Sequence, residues 1–289
     1  MTATTADEPT GLVHGIPDTT YHAMPGLSAT GMKWILRSPK HYRQMIDHRI
    51  ERKTFDFGHA VHAKILGVGM DVAIIPDSIL AKNGAASTLE AKAFIAQARA
   101  DGLVPVKADV VAEVDAIAEA VLTHAKAGPL LELPGHAEVS LFGQDPDTDV
   151  RLRGRIDYLT DTTINVDVKT TTDVSRHKIA RTIADYGYDI QSEAYRHLLR
   201  INGLDPQPTR LIFVETDPPH EVRVVQLDGW WIEGGQRRMR QAIDTYAQCL
   251  AANTWPGDDD QPGEPEAIEP PAYYIYDTDD SIADDIEVI

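Results

Sequence analysis

Cysteine is nearly absent: Cys249 is the single one among 289 residues. No internal disulfide can form, and a cytoplasmic location is the default expectation. Cys249 falls in an apolar helical stretch and reads as inert packing. Long apolar runs are missing too. None approaches the roughly 20 residues that a membrane helix needs, so no membrane association is expected. Met1 to Pro17 lacks a basic start followed by an apolar core, so no signal peptide is expected. No G-x-x-x-x-G-K-[ST] loop occurs, which argues against an ATP-driven motor in this polypeptide, and no nucleotide cofactor is expected. Internal repeats are absent as well. Basic residues are scarce, with 27 Lys and Arg against 45 Asp and Glu, for a net charge of -18.

That charge is unevenly spread. Gly257 to Ile289 holds eight Asp, four Glu and no Lys or Arg, which leaves only -6 for the other 256 residues. Between Lys33 and Lys53 the sign reverses: seven basic residues face Asp47 and Glu51, for +5. A polyanionic partner is therefore not excluded by the total.

The densest chemistry lies in LRGRIDYLTDTTINVDVKTTT. Two alternating apolar runs flank a turn at Thr160 to Thr163, which predicts a β-hairpin. Period-two alternation sends Asp167 and Lys169 to one side and Ile164, Val166 and Val168 into a core. If the hairpin sets Asp157 beside Asp167, two carboxylates and an ammonium meet. Such oxygen-rich sites suit Mg²⁺ or Mn²⁺, and a lysine there can hold a phosphate or a water. The alternative is a solvated hairpin with ordinary surface charges. Arg151, Arg153 and Arg155 share strand parity with Asp157. They are expected either to line a phosphate track into the site or to balance acids on an exposed sheet face.

Two helical patterns bear on the same spot. In DFGHAVHAKILG, Gly58 and His62 are four apart and share a helix face. Glycine costs roughly 1 kcal/mol in a helix interior. The expected reason for Gly58 is close approach to a strand or a metal, with His62 reaching the same site. His59 reads as an ordinary residue. In YDIQSEAY, Gln191 and Tyr195 share a face and suit hydrogen bonds to a DNA phosphate or base edge, or simply a packed helix start.

Taken in order, G-x-x-x-H (58–62), G-x-x-D (154–157), D-x-K (167–169) and Q-x-x-x-Y (191–195) resemble the RecB-type branch of the PD-(D/E)XK nuclease superfamily. Within it the chain looks most like phage and prophage exonucleases of the exonuclease VIII, or RecE, type. The opening LSATGMKWILRSPKHYRQ and the closing Asn253-Thr-Trp255-Pro-Gly257 are similar to that branch's leading and Trp-Pro-Gly segments, so the likeness spans about residues 20 to 257. It implies His62, Asp157 and Asp167 as metal ligands for Mg²⁺ or Mn²⁺, with the Val168 carbonyl as a backbone ligand and Lys169 as the catalytic lysine. Gln191 and Tyr195 would help place DNA, Gly58 and Gly154 would be structural, and Glu138 would be a further acidic ligand or a group behind the ligands. Some relatives carry an iron–sulfur cluster on four cysteines, which one cysteine cannot form. The implied activity is metal-dependent exonucleolytic hydrolysis of DNA, resecting linear duplex ends for recombination. A ring-shaped homo-oligomer and a single-strand annealing partner are implied by the same likeness. A single-strand or structure-selective nuclease, in repair or CRISPR spacer capture, and a non-catalytic DNA-end-binding scaffold stay open.

The expected fold is α/β: an αβββαβ restriction-endonuclease-like core, a mixed central sheet flanked by helices, with a helical insertion. Residues 1–19 are expected to be a flexible start and 20–257 one nuclease domain. Helices at 85–100 and 109–126 should make a helical lobe (about 85–127) walling a DNA channel. Residues 258–289 are expected to be an acidic, mobile tail. Its role would be solubilising, DNA-mimicking, or docking a partner through Tyr273 to Tyr276.

Overall fold

The computed structural model describes residues 9–48, 55–67, 72–260, 264–265, 267–271 and 274–275. In chain order the elements are β1 (Gly11–Val13), α1 (Asp18–Ala23), α2 (Ala29–Arg37), α3 (Pro39–Asp47), α4 (Phe55–Leu66), β2 (Val72–Ile75), α5 (Leu89–Ala100), β3 (Val104–Lys107), α6 (Ala108–Thr123) and α7 (Ala127–Leu131). Then follow β4 (Gly135–Gln144), β5 (Arg151–Thr160), β6 (Asn165–Thr171), α8 (Arg176–Tyr186), α9 (Tyr188–Ile201), β7 (Arg210–Glu215), β8 (Val222–Gln226) and α10 (Gly229–Ala252). Contacts divide the chain after Gly257, and the elements above all belong to the unit ending there.

One sheet runs in the order β1-β4-β5-β6-β7-β8, antiparallel except for the parallel β6–β7 pair. Helices flank it, which is the mixed α/β core that the motif order implied. Val139, Leu141, Leu152 and Ile156 face a core built with α2, α9 and α10. Val166, Val168, Ile212 and Val214 face a second core, built with α4 and α6. The hydrophobic set therefore changes helix partners between β5 and β6, and the site lies at that change. The closing Trp255 stacks on Tyr42 at 5.4 Å and packs against Tyr246, so the Trp-Pro-Gly segment caps α3 and α10.

Helix starts follow ordinary capping. The hydroxyls of Ser28, Ser38, Thr88 and Ser175 each accept a backbone N–H of the first turn. Pro39 opens α3, where a missing N–H costs nothing.

Three expectations need correction. The helical lobe at about 85–127 is a helix–strand–helix unit, because β-branched Val104 and Val106 pair in parallel with β2. Its second helix, α6, is no outlying wall: Val114, Ile117 and Val121 are buried against Val61, Ile65 and the sheet. The start is not loose from Pro9 onward. β1 pairs with β4, and residues 9–26 lie along the arginines of β5. Arg49, Glu51, Arg52 and Lys53 of the basic run, residues 1–8, and Tyr273 and Tyr276 of the tail lie outside the described residues.

The β4–β5 turn is closed by a buried carboxylate. Asp145 receives Arg240 through both oxygens at 3.0 and 2.9 Å, His197 at 2.9 Å and the Thr148 hydroxyl at 2.8 Å. Burial opposes its ionisation, but these donors outweigh burial and hold its pKa well below the carboxylate range. Asp145→Ala would take the shared acceptor away from His197, Thr148 and Arg240, while Arg240 keeps Asp244 and Asp147. The expected loss is about 1–3 kcal/mol, the cost of leaving buried donors unpaired, read from the urea midpoint at unchanged slope.

Candidate active site

β5 and β6 pair only at Tyr158↔Val166 and Leu159↔Asn165 before they diverge. In the opening, Asp157 Oδ2 accepts the Val168 N–H at 2.9 Å, a side chain standing in for a ladder carbonyl. Across β5, the 138/157 position is skipped within an otherwise regular ladder. Glu138 there has φ +52°, a left-handed backbone that non-glycine residues seldom adopt. Glu138 and Asp157 lie on the Arg155 face of the sheet, where α4 reaches Asp157.

His62 meets them from α4. Its Nε2 lies 2.9 Å from the Val168 carbonyl and its Nδ1 lies 3.6 Å from Asp157 Oδ2. A neutral imidazole donating from Nε2 leaves the Nδ1 lone pair toward the carboxylates. One ligand atom each from His62, Glu138 and Asp157 fall within 4.8 Å of one another. Two carboxylates and an imidazole so placed form a donor set for a hard divalent cation. Glu138 carries the electrostatic mark of that need. Burial, and then repulsion by Asp157, push its pKa up to about 7, although Arg155 and His62 work the other way.

Asp167 lies beside this group but is held apart. It is 2 % exposed, with Lys169 Nζ 2.6 Å from Oδ2 and Gln191 Nε2 donating to Oδ1 at 2.9 Å. Burial opposes charge on both partners, yet Asp167 and Asp157 together keep the Lys169 ammonium protonated well above the usual lysine range. Gln191 also reaches the Tyr195 hydroxyl at 3.4 Å. Gln191 thus aims at the Asp167 carboxylate rather than at solvent, with the Tyr195 hydroxyl beside it.

The structure brings His62, Glu138, Asp157, Asp167, Lys169, Gln191 and Tyr195 together, and parts from expectation at other positions. The Val168 carbonyl is taken up by His62, though a carbonyl oxygen keeps a second lone pair. The arginines of β5 form no open track. Arg153 donates to the Gly26 and Tyr21 carbonyls, Arg151 to Pro9, and Arg155 to Ile16 and Ser140. They share a face, as strand parity requires, but the N-terminal segment already occupies it. A Cβ on Gly154 would fall 2.8 Å from the Tyr195 ring, so its absence lets α9 seat against β5. Among the described residues a Cβ on Gly58 would meet nothing within 4 Å, so no strand makes the close approach expected there.

Two residues at the site had been passed over. The Tyr188 ring lies under Lys169 Nζ, 4.7 Å from its centroid, and Lys33 Nζ lies 5.3 Å from the same centroid. Tyr188 stands three before Gln191 on one helix face, which was a usable signal. Lys33 was legible only as one charge in a basic run.

A family profile described as a PDDEXK-like domain of unknown function (DUF3799) matches residues 28–264. No curated protein matches the sequence. Among solved structures, an inferred exonuclease of Eubacterium rectale superposes with a TM-score of 0.60 at 11% identity, covering 92% of this chain and 99% of that one. A phage-related exonuclease of Haemophilus somnus 129PT is also similar, with a TM-score of 0.32 at 12% identity, over 80% of this chain and 97% of that one.

The Glu138 shift would make cation binding there proton-linked. Its folded pKa is above the ordinary 4.5, so between pH 4.5 and about 7 the metal-free fold holds a proton that the unfolded chain releases. Stability of the metal-free protein should therefore fall as pH rises through that window. A cation must displace the proton, so Mn²⁺ affinity by calorimetry should rise about tenfold per pH unit below 7 and level off above it. Glu138→Gln should flatten that dependence and weaken binding at pH 8.

Proposed function

We propose that this chain, which belongs to the family of PDDEXK-like domains, is a metal-dependent exonuclease that hydrolyses phosphodiester bonds at the ends of linear duplex DNA. The observation that carries this reading is the His62–Glu138–Asp157 group set beside the Asp167–Lys169 pair. Family membership makes it a nuclease-like domain. Exonucleolytic action on duplex DNA, and resection for recombination, rest on the motif order and on the assignment attached to the Eubacterium rectale structure. By the same resemblance it would work with a single-strand annealing protein and as a ring-shaped oligomer.

His62, Glu138 and Asp157 would hold Mg²⁺ or Mn²⁺, with Asp167 next to them as a further carboxylate. The cation would draw charge from a phosphodiester oxygen and make a bound water more acidic. Lys169 has a narrower part to play. An ammonium kept charged by Asp167 cannot take a proton from water. It can offset the negative charge that grows on the phosphate in the transition state. Gln191 fixes the second oxygen of Asp167, so the Lys169 ammonium stays at one place. Tyr195, buried with its phenol pKa raised well above 10 by burial, remains neutral and buttresses Gln191.

End-labelled linear duplex incubated with Mg²⁺ or Mn²⁺ should be lost while a covalently closed circle survives, and EDTA should stop the loss. Lys169→Ala is expected to slow cleavage by about 10²–10³-fold, the usual cost of removing one preorganised charge donor. Asp157→Ala should abolish it. Binding without cleavage of duplex or single strands would leave the scaffold reading; loss of single strands alone would move the substrate.

A further inference from the structure

The Tyr188 ring carries two ammonium groups, and among the described residues only one of them has an anion. Lys169 is paired with Asp167 at 2.6 Å. Lys33, from α2, lies 5.3 Å from the ring centroid, and its aliphatic stem runs past Gly187, where a Cβ would come within 3.3 Å of Cε. Among the described residues Lys33 forms no hydrogen bond or ion pair. The charged groups around it act only at longer range: Lys169 and Asp167 from β6, Asp189 from α9 and Arg238 from α10. Asp189 is itself engaged by Arg238 at 3.0 Å, and Asp167 by Lys169 and Gln191. The local acids are therefore committed elsewhere.

A half-buried ammonium with no counter-ion is a standing cost to the fold. Burial first, and Lys169 second, lower its pKa from the ordinary 10.5 to about 8, and Asp167 and Asp189 only partly oppose them. A cation–π contact with one tyrosine is worth about 0.5–2 kcal/mol, which does not replace water or a carboxylate around a charge at such depth. The arrangement makes physical sense if an anion arrives from outside. The anion suited to a position beside the catalytic lysine is a phosphate of the substrate.

We propose that Lys33 contacts a phosphodiester of the strand being cut, next to the scissile one, with Tyr188 as the platform that holds the Lys33 and Lys169 ammonium groups in place. This rests on the nuclease reading above. Lys169 serves the scissile phosphate and Lys33 its neighbour, so the strand is gripped over two linkages. The site thereby gains a cation without adding a charge to the metal group.

The experiment compares wild type with Lys33→Met and Lys33→Arg. Methionine keeps the stem that packs on Gly187 and Tyr188; arginine keeps the charge. Binding of end-labelled duplex is titrated against salt in EDTA, cleavage is measured in Mn²⁺, and thermal unfolding is followed from pH 7 to 11. Lys33→Met should weaken binding several-fold at low salt and lower the slope of log affinity against log salt by about 0.9, the share of one phosphate. It should raise KM more than it lowers kcat, and Lys33→Arg should restore both binding and slope. Its melting temperature should equal or exceed that of wild type. Wild type alone should gain stability between about pH 8 and 10.5, where its folded form sheds the proton that the unfolded chain keeps.

An unchanged salt slope and KM in an active, folded Lys33→Met protein would overturn the proposal. So would a lower melting temperature without a binding change, which would make Lys33 a structural cation–π partner. A fall confined to kcat would overturn the assignment to the neighbouring phosphate. Wild type that neither binds nor cuts DNA would instead defeat the nuclease reading itself.

Discussion

The bond from the Val168 N–H to Asp157 Oδ2 is the one on which the rest of the site depends. It closes a backbone donor where β5 and β6 part, so the hairpin can open without leaving a buried N–H unsatisfied. It also fixes the carboxylate, because an oxygen that accepts a backbone N–H cannot swing to solvent. His62 completes the figure by donating to the carbonyl of the same Val168. Three elements, β5, β6 and α4, are thus tied through one residue, Val168. Removing Asp157 would cost more than a carboxylate: the hairpin, the histidine and the seat of α4 would lose their common point.

Around that point, charge is arranged in two unequal halves. On one side His62, Glu138 and Asp157 have too little positive charge, and Glu138 responds by holding its proton to about pH 7. On the other side Asp167 and Lys169 neutralise each other, and Lys33 adds a cation that forms no ion pair among the described residues. A divalent ion would satisfy the first half, and a phosphate the second. Neither half is at ease without a ligand, and a phosphodiester bound to a cation would bridge the two. Stability is given up locally for that complementarity, and burial elsewhere offsets it. Asp145, fully enclosed by Arg240, His197 and Thr148, shows how the same fold treats a carboxylate that has no ligand to await.

Much of this could be read in the sequence, for physical reasons that differ by element. The hairpin was legible because alternation and a Thr-rich turn depend on a few adjacent residues. Asp167 and Lys169 were legible because period two fixes their common side. The pairing of Gln191 with Asp167 was not, since it joins a helix to a strand 24 residues away, and only packing decides which carboxylate the amide meets. Strand parity put Arg151, Arg153 and Arg155 on one face correctly but could not say what covers it. The cover is the N-terminal segment, whose Pro9, Ile16, Tyr21 and Gly26 carbonyls take up their guanidiniums. Short strands such as Val104–Lys107 escape notice because four residues carry too little pattern to outweigh the helices on either side.

The fate of those arginines bears on how an acidic chain can grip DNA. Three cations that looked available from the sequence are spent on holding residues 9–26 against the sheet, and residues 1–256 carry a net charge of -6. Long-range attraction is then a poor basis for binding, since it scales with the field of the whole molecule and is screened over about 10 Å at 0.1 M salt. What remains is short-range: a metal group that needs charge, an ammonium held in place by Asp167, and Lys33 without an anion on the shared tyrosine. Such a site gains little from encounter and much from fit, because its charges act across a few ångströms of partly desolvated space. It would hold a strand end that can enter, and would pay little attention to a duplex surface that cannot. Preference for ends can thus arise from where the cations are buried, with no element that recognises an end as such.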